Sequence, residues 1–201
     1  DNIAIPILLG NKEVIHRIIE ENALDLEGVQ IIEPALEPER MKKYAESLFK
    51  RRQRRGVTAI DANKMMRDRN YFGASMVEFG EADAMISGLT KNYVSTIKPA
   101  LQVIGTEEGV NRVAGMYMMM TEKGPVFFGD TTVNVDPTAQ ELVDLTLLLE
   151  KSVRKFNIQP RIALLSYSNF GSNEGTVPEK VREAVKILHE QHPNIIVDGD
   201  M

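Results

Sequence analysis

Hydrophobic positions along the chain alternate between short continuous runs and longer stretches with helical spacing. IAIPILLG (Ile3 to Gly10) is an apolar run closed by Gly-Asn, which predicts a buried strand. In KEVIHRIIEENAL, which follows, Val14, Ile15, Ile18 and Ile19 form one helical stripe, and GVQIIEPA predicts a second strand stopped by Pro34. Pro38 to Arg55 reads as a helix with Met41, Tyr44, Leu48 and Phe49 inward, ending at Gly56. Thr58 caps the next helix, TAIDANKMMRDR, and Asn70 opens another, NYFGASMVEFGEA. Asp83 to Gly88 reads as a short strand, and SGLTKNYVSTIKPALQVIG as loop then helix.

From Val110 the pattern changes. VAGMYMMMT and GPVFFGDTTVNV predict two strands joined near Lys123-Gly124, a hairpin-like turn. Pro137 stands at the start of a helix through PTAQELVDLTLLLEKSVRKFN, a position proline favours. RIALLSYS, VPEKVREAVKILHEQ and NIIVDGD then read strand, helix, strand. This alternation predicts parallel crossover units, hence an α/β protein. The lobe boundary falls near Gly105 to Gly109, dividing a first α/β lobe (1–109) from a second (110–201). A strand opens the chain and another closes it without a covering helix, so further sequence is expected before Asp1 and after Met201.

Composition narrows the function classes. At 201 residues, with 43% hydrophobic and 26% charged residues, the chain has the make-up of a globular α/β protein. A net charge of −5 argues against a general nucleic-acid binder. No apolar run approaches the roughly 18 residues of a membrane span, and no signal-like segment opens the chain. Without cysteine, disulfides, thiolate metal sites and a cysteine nucleophile are excluded, which suits the cytoplasm.

Four stretches carry candidate chemistry. In SYSNFGSNEGT, Ser166, Ser168, Ser172 and Thr176 accompany Asn169, Gly171 and Gly175 between a strand and a helix. That layout suits backbone amides around an anion, or donors along a phosphopantetheine chain; the plainer reading is an ordinary capping loop. SGLTKNYVSTIKP repeats the logic with Ser87, Gly88, Thr90, Ser95, Thr96 and a cation at Lys98, against a solvated loop and a helix-face lysine. KRRQRRG holds Lys50, Arg51, Arg52, Arg54 and Arg55 at a helix C-terminus, where cations suit the dipole, yet one or two can reach a phosphate. Asp130 and Asp136 invite a metal or acid–base reading, although Asp136 before Pro137 reads better as an N-cap and Asp130 needs a partner. His16, His189 and His192 lack ligand spacing and read as structural, and Met116, Met118, Met119 and Met120 as core packing.

Taken in order, RRGVT, RNYFGASMVEFGEADAMISG, STIKPALQVIGT, GDTTVNVDPTAQEL, PRIALLSYSNFGS, KVREA and DGDM resemble the phosphate acetyl/butyryltransferase family over nearly the whole chain. SNFGS (Ser168 to Ser172), where transferases usually carry a lysine-bearing STKGS, and GLTKNY (Gly88 to Tyr93) tilt the resemblance. They point toward the phosphotransacetylase-like C-terminal domain of large bacterial NADP-dependent malic enzymes.

The resemblance implies a two-lobed fold like that of isocitrate and isopropylmalate dehydrogenases, with a dimer, or a higher homo-oligomer, formed mainly by the second lobe. It implies acetyl-CoA or CoA as ligand, bound with phosphate by Arg52, Ser87, Gly88, Thr90, Lys98, Ser166, Ser168, Asn169, Gly171 and Ser172. Lys98 departs from the arginine of the family's R-P pair and cannot grip an anion bidentately. The family's catalytic Ser-Arg pair and general-base aspartate are expected past Met201, so the 201 residues alone are not expected to be a competent transacetylase. On the malic-enzyme reading, the domain binds acetyl-CoA for allosteric control and supports oligomerisation. Malate decarboxylation, with NADP and Mg or Mn, then belongs to another region. The alternatives are a phosphate acetyltransferase and, from a different class, a scaffold that binds no ligand.

Overall fold

The computed structural model describes residues 3–26, 28–110 and 112–201. The chain divides into two compact units, Asp1–Gly105 and Thr106–Met201, and the fold is mixed α/β.

In the first unit, β1 (Ile7–Leu9) pairs in parallel with β2 (Gln30–Ile32), with Leu8 opposite Ile31, and α1 (Lys12–Glu21) makes the crossover. Asn11 caps α1 by accepting the Val14 amide. Only the Ile15–Ile19 row of the expected stripe is partly covered; Val14 and Ile18 are exposed. A two-stranded sheet is too narrow to cover more of the helix. The unit's core is helical. α2 (Pro38–Arg52) supplies Tyr44, Ala45 and Leu48, and α3 (Ala59–Met65) adds Ala62. α4 (Arg69–Glu78) contributes Phe72, Ala74 and Met76, and α5 (Tyr93–Val103) Val103. The Tyr44 ring meets Phe72 edge-on at 5.2 Å and stacks on Phe79 at 5.1 Å, contacts worth about 0.5–1.5 kcal/mol each beyond burial.

Thr58 caps α3 as expected, in a reciprocal capping box with Asp61. The last turn of the α2 segment tightens into a 3-10 turn, Gln53–Arg55, and Gly56 ends it at φ 85°. One expected strand is absent among the described residues: Asp83 to Gly88 pairs with no neighbouring strand. Side chains hold it instead. Met85 packs on the core so closely that a Cβ at Gly73 would stand 2.8 Å from its sulfur.

In the second unit, β3 (Met116–Thr121) and β4 (Gly124–Gly129) form an antiparallel hairpin whose ends, Thr121 and Gly124, face each other across a two-residue turn. Leading into α6 (Ala139–Arg154), the chain passes to β5 (Ile162–Leu164), α7 (Thr176–Gln191) and β6 (Val197–Gly199). β5 pairs in parallel with β6, with Ala163 opposite Asp198. α6 and α7 pack together over this pair through Val143, Ala184, Leu188 and Val197.

Three expectations fail here for physical reasons. The strand through GDTTVNV stops at Gly129, because Asp130 turns the chain at φ 54°. Pro137 does not begin α6 and Asp136 does not cap it: Thr138 is the cap, in a box with Glu141, since that spacing satisfies two amides reciprocally. Asp136 instead accepts from Lys180 at 2.5 Å. The methionine run is not core: Met118, Met119 and Met120 are 47%, 55% and 74% exposed, and α6 meets the hairpin through β4, where Leu149 sits against Gly129.

Candidate functional site

The candidate residues of the first unit gather around the start of α4 and the segment 85–98. Asp68 caps α4, accepting the Asn70 amide at 2.8 Å, and its other oxygen takes Lys91 Nζ at 2.6 Å. Asn70, almost fully buried, accepts the Ser87 hydroxyl at 2.8 Å and donates to the Ser95 carbonyl at 3.1 Å. One amide side chain thereby ties both ends of the SGLTKNYVS loop to the core. Within the loop, Thr90 donates its amide to the Gly88 carbonyl at 2.6 Å, and Leu89 adopts a left-handed φ of 43°. The bend holds Ile86 and Leu89 in solvent, with Ser87 and Thr90 also exposed. Lys98 lies exposed on α5, one residue before the buried Pro99.

The basic stretch at the end of α2 splits into two duties. Arg51 donates to the carbonyls of Val103 and Ile104, the latter at 2.8 Å, and pairs with Glu78, so it finishes α5. Arg52 is half-buried with Nε sealed from solvent and without an acceptor. Burial and then the Asp68 carboxylate push the Tyr71 phenol up, against the pull of Arg52, which places all three in one neighbourhood. Tyr71 donates to Gln102 at 2.6 Å. Lys50, Arg54 and Arg55 are exposed. The Asp68 carboxyl sits below its ordinary 3.8: burial opposes the charge, but Lys91 and the Asn70 and Tyr71 amides outweigh it.

In the second unit, the segment Ser166 to Asn173 folds into a closed polar loop. Ser168 donates its amide to Ser166 Oγ at 2.8 Å, Asn169 to Ser172 Oγ at 2.9 Å, and Asn173 to Ser168 Oγ at 3.2 Å. The Phe170 amide reaches the Asp200 carbonyl at 2.7 Å, Gly171 the Asp200 carboxylate at 3.1 Å, and Ser172 the Asn169 carbonyl at 3.2 Å. Every amide from Ser168 to Asn173 is therefore satisfied within the protein. Gly171 stands at φ 78°, directly after Phe170 at φ 46°, the left-handed pair that turns these amides inward. Ser166, Ser168, Asn169, Gly171 and Ser172 are thus brought together, with Ser168 buried and Asn169 and Phe170 outside.

Arg182, on α7, donates to the other oxygen of Asp200 at 3.2 Å. The Ser168 hydroxyl first, then the Gly171 amide and the Arg182 charge, hold the fully buried Asp200 below the usual aspartate value. Sequence reading missed Asp200, Arg182, Asn70, Asp68 and Lys91. Only Asp68, one residue before a helical stretch, carried a signal of its own, that of an N-cap.

The remaining candidates resolve simply. Asp130, half-buried, accepts from Asn134 at 2.7 Å, and His189 Nε2 lies 2.9 Å from the Val197 carbonyl. Among the described residues no cluster of three His, Asp or Glu is arranged to hold a metal ion, and no helix is long and apolar enough to cross a membrane.

Comparison with known proteins sets these loops in a lineage. The family model described as phosphate acetyl/butaryl transferase matches residues 1–201. The phosphate acetyltransferase of Synechocystis is 39% identical over 96% of this chain, and the NADP-dependent malic enzyme of Escherichia coli 37% over 99%. The chain spans only 28% and 27% of those two proteins, and 60% of the phosphate acetyltransferase of Bacillus subtilis. A phosphotransacetylase structure from Streptococcus pyogenes superposes with a TM-score of 0.82 at 34% identity, over 98% of this chain and 60% of that one. The EutD phosphotransacetylase of Staphylococcus aureus gives 0.80 at 31%, with the same coverage. The match along the full chain, at these identities, makes the protein a member of the phosphate acetyl/butaryl transferase family.

Proposed function

We propose that the chain is the acyl-CoA-binding region of a phosphate acetyltransferase, interconverting acetyl-CoA and phosphate with acetyl phosphate and CoA. The observation that carries this reading is Arg52. A guanidinium nitrogen sealed from water without an acceptor is costly, and a ligand phosphate at that place relieves the cost. Within the same unit, Ser87, Gly88, Thr90 and Lys98 lie on the loop and helix through 87–98; in the second unit, Ser166, Ser168, Asn169, Gly171 and Ser172 form a polar loop of their own. In the reaction, the CoA thiolate attacks the carbonyl carbon of acetyl phosphate, the C–S bond forms, and the C–O bond to phosphate breaks. Arg52 serves the phosphate charge by position and electrostatics.

A second reading is favoured by Lys98, a point charge where the resemblance expects an arginine, and by SNFGS with its amides already spent. On it, the chain is the regulatory domain of an NADP-dependent malic enzyme, holding acetyl-CoA without turning it over. The exposed Met118, Met119 and Met120 support a homodimer seated on the β3–β4 hairpin under either reading. A coupled assay of the full-length protein separates them. CoA-dependent consumption of acetyl phosphate is the result of the first; saturable acetyl-CoA binding without turnover is the result of the second.

A further inference from the structure

An anion cradle made of backbone amides has one requirement: its amides must be available to the anion. In the Ser166–Asn173 loop they are not. The Gly171 amide, on the left-handed residue that gives such a loop its concavity, already points at a carboxylate oxygen 3.1 Å away. That oxygen belongs to Asp200, whose second oxygen lies 3.2 Å from Arg182 Nη1. A backbone amide and a guanidinium converging on one carboxylate are donors of the kind a phosphate oxygen would demand. Asp200 is completely buried, so a charge there needs partners, and these donors supply them.

We propose that Asp200 is the resident anion of the Ser166–Asn173 loop, occupying the seat of a ligand phosphate and so setting the loop's specificity. With the seat filled, the exposed residues of the loop are Tyr167, Asn169, Phe170, Gly171, Ser172 and Asn173, none of them charged. Such a surface receives an uncharged, hydrogen-bonding and apolar stretch of ligand, not a free phosphate. Resting on the acyl-CoA reading above, the loop meets the amide-bearing arm of the thioester and does not select phosphate. Asp200 is a positioning residue: it acts through the amides of Phe170 and Gly171.

Emptying the seat by mutation and offering small anions tests this directly. In full-length Asp200→Ala protein, amide exchange of segment 166–173, followed by mass spectrometry, is expected to rise at least about tenfold while that of α6 stays unchanged. Formate in the millimolar range restores the protection in the variant and does nothing to wild type. Inorganic phosphate binds the variant at this loop and protects the same segment. Unchanged exchange, or a rise that neither formate nor phosphate reverses, overturns the proposal. Should Asp200→Ala fail to fold, Asp200→Asn keeps an oxygen for Gly171 but loses the Arg182 charge pairing. Faster exchange of segment 166–173 is then expected, and exchange equal to wild type overturns the idea. Acetyl-CoA binding to wild type, measured alongside, reads the proposed function separately: its absence rejects that function and leaves the anion rescue standing.

Discussion

The hydroxyl of Ser87 donates to Oδ1 of Asn70 at 2.8 Å, and the same Asn70 amide donates to the carbonyl of Ser95 at 3.1 Å. One buried side chain on α4 therefore spans the loop that carries Gly88 and Thr90. Replacing it by alanine leaves the Ser87 hydroxyl and the Ser95 carbonyl without that partner and opens a cavity. Asn70→Ala is expected to lose about 1–3 kcal/mol of stability, read from denaturant unfolding. Acetyl-CoA affinity is expected to weaken together with it, whereas Ser87→Ala, at an exposed site, weakens stability less.

Burial divides the apolar residues into two groups with opposite responses. Phe72 is fully buried against Tyr44, so Phe72→Ala is expected to cost about 3–5 kcal/mol. Met120 is 74% exposed, and Met120→Ser is expected to stay within about 0.5 kcal/mol by the same unfolding measurement. On the proposed dimer, Met120→Glu shifts the sedimentation equilibrium of the protein toward monomer. A dimer of unaltered affinity argues against the hairpin as its seat.

Acid stability follows from the depressed carboxyls. Asp68 is held below 3.8: burial resists its charge, and Lys91 with the Asn70 and Tyr71 amides overcomes that resistance. Asp61 is held low by the Thr58 hydroxyl and amide. A carboxyl with a lowered folded pKa contributes its full stability above the unfolded value. That stability is lost as pH falls through the folded value, because the unfolded chain takes up protons first. Unfolding free energy is therefore expected to drop below about pH 4, with a shallower slope in Asp68→Asn. An identical slope in the variant contradicts the Lys91–Asp68 account.

The cap of α3 was legible: Thr58 caps it as expected, with Asp61 completing the box. Thr138 with Glu141 follows the same rule, but the adjacent Asp136-Pro137 pair competes for the reading, and Asp136 is drawn away by Lys180, 44 residues later. The Met116–Met120 run has the hydropathy of a core strand, and nothing in its own sequence tells that α6 meets the hairpin through β4 instead. Among the candidate residues, Arg52 is named by the family resemblance, while Asp200 is not. Its partners Gly171 and Arg182 lie 29 and 18 residues away, a convergence made by the β5–α7–β6 crossover and by no periodicity.

Arg52 separates a binding role from a structural one. Its Nε is sealed without an acceptor, so Arg52→Ala removes no protein hydrogen bond at that atom. The thermal midpoint of Arg52→Ala is expected to stay near wild type, in contrast to Arg51→Ala, which loses the carbonyls of Val103 and Ile104 and the Glu78 pair.

Calorimetric titration of acetyl-CoA into full-length protein, wild type and Arg52→Ala, tests the central claim most directly. Saturable binding to wild type, weakened at least about tenfold in the variant, is the predicted result. No binding to wild type, or equal affinity for both, contradicts it.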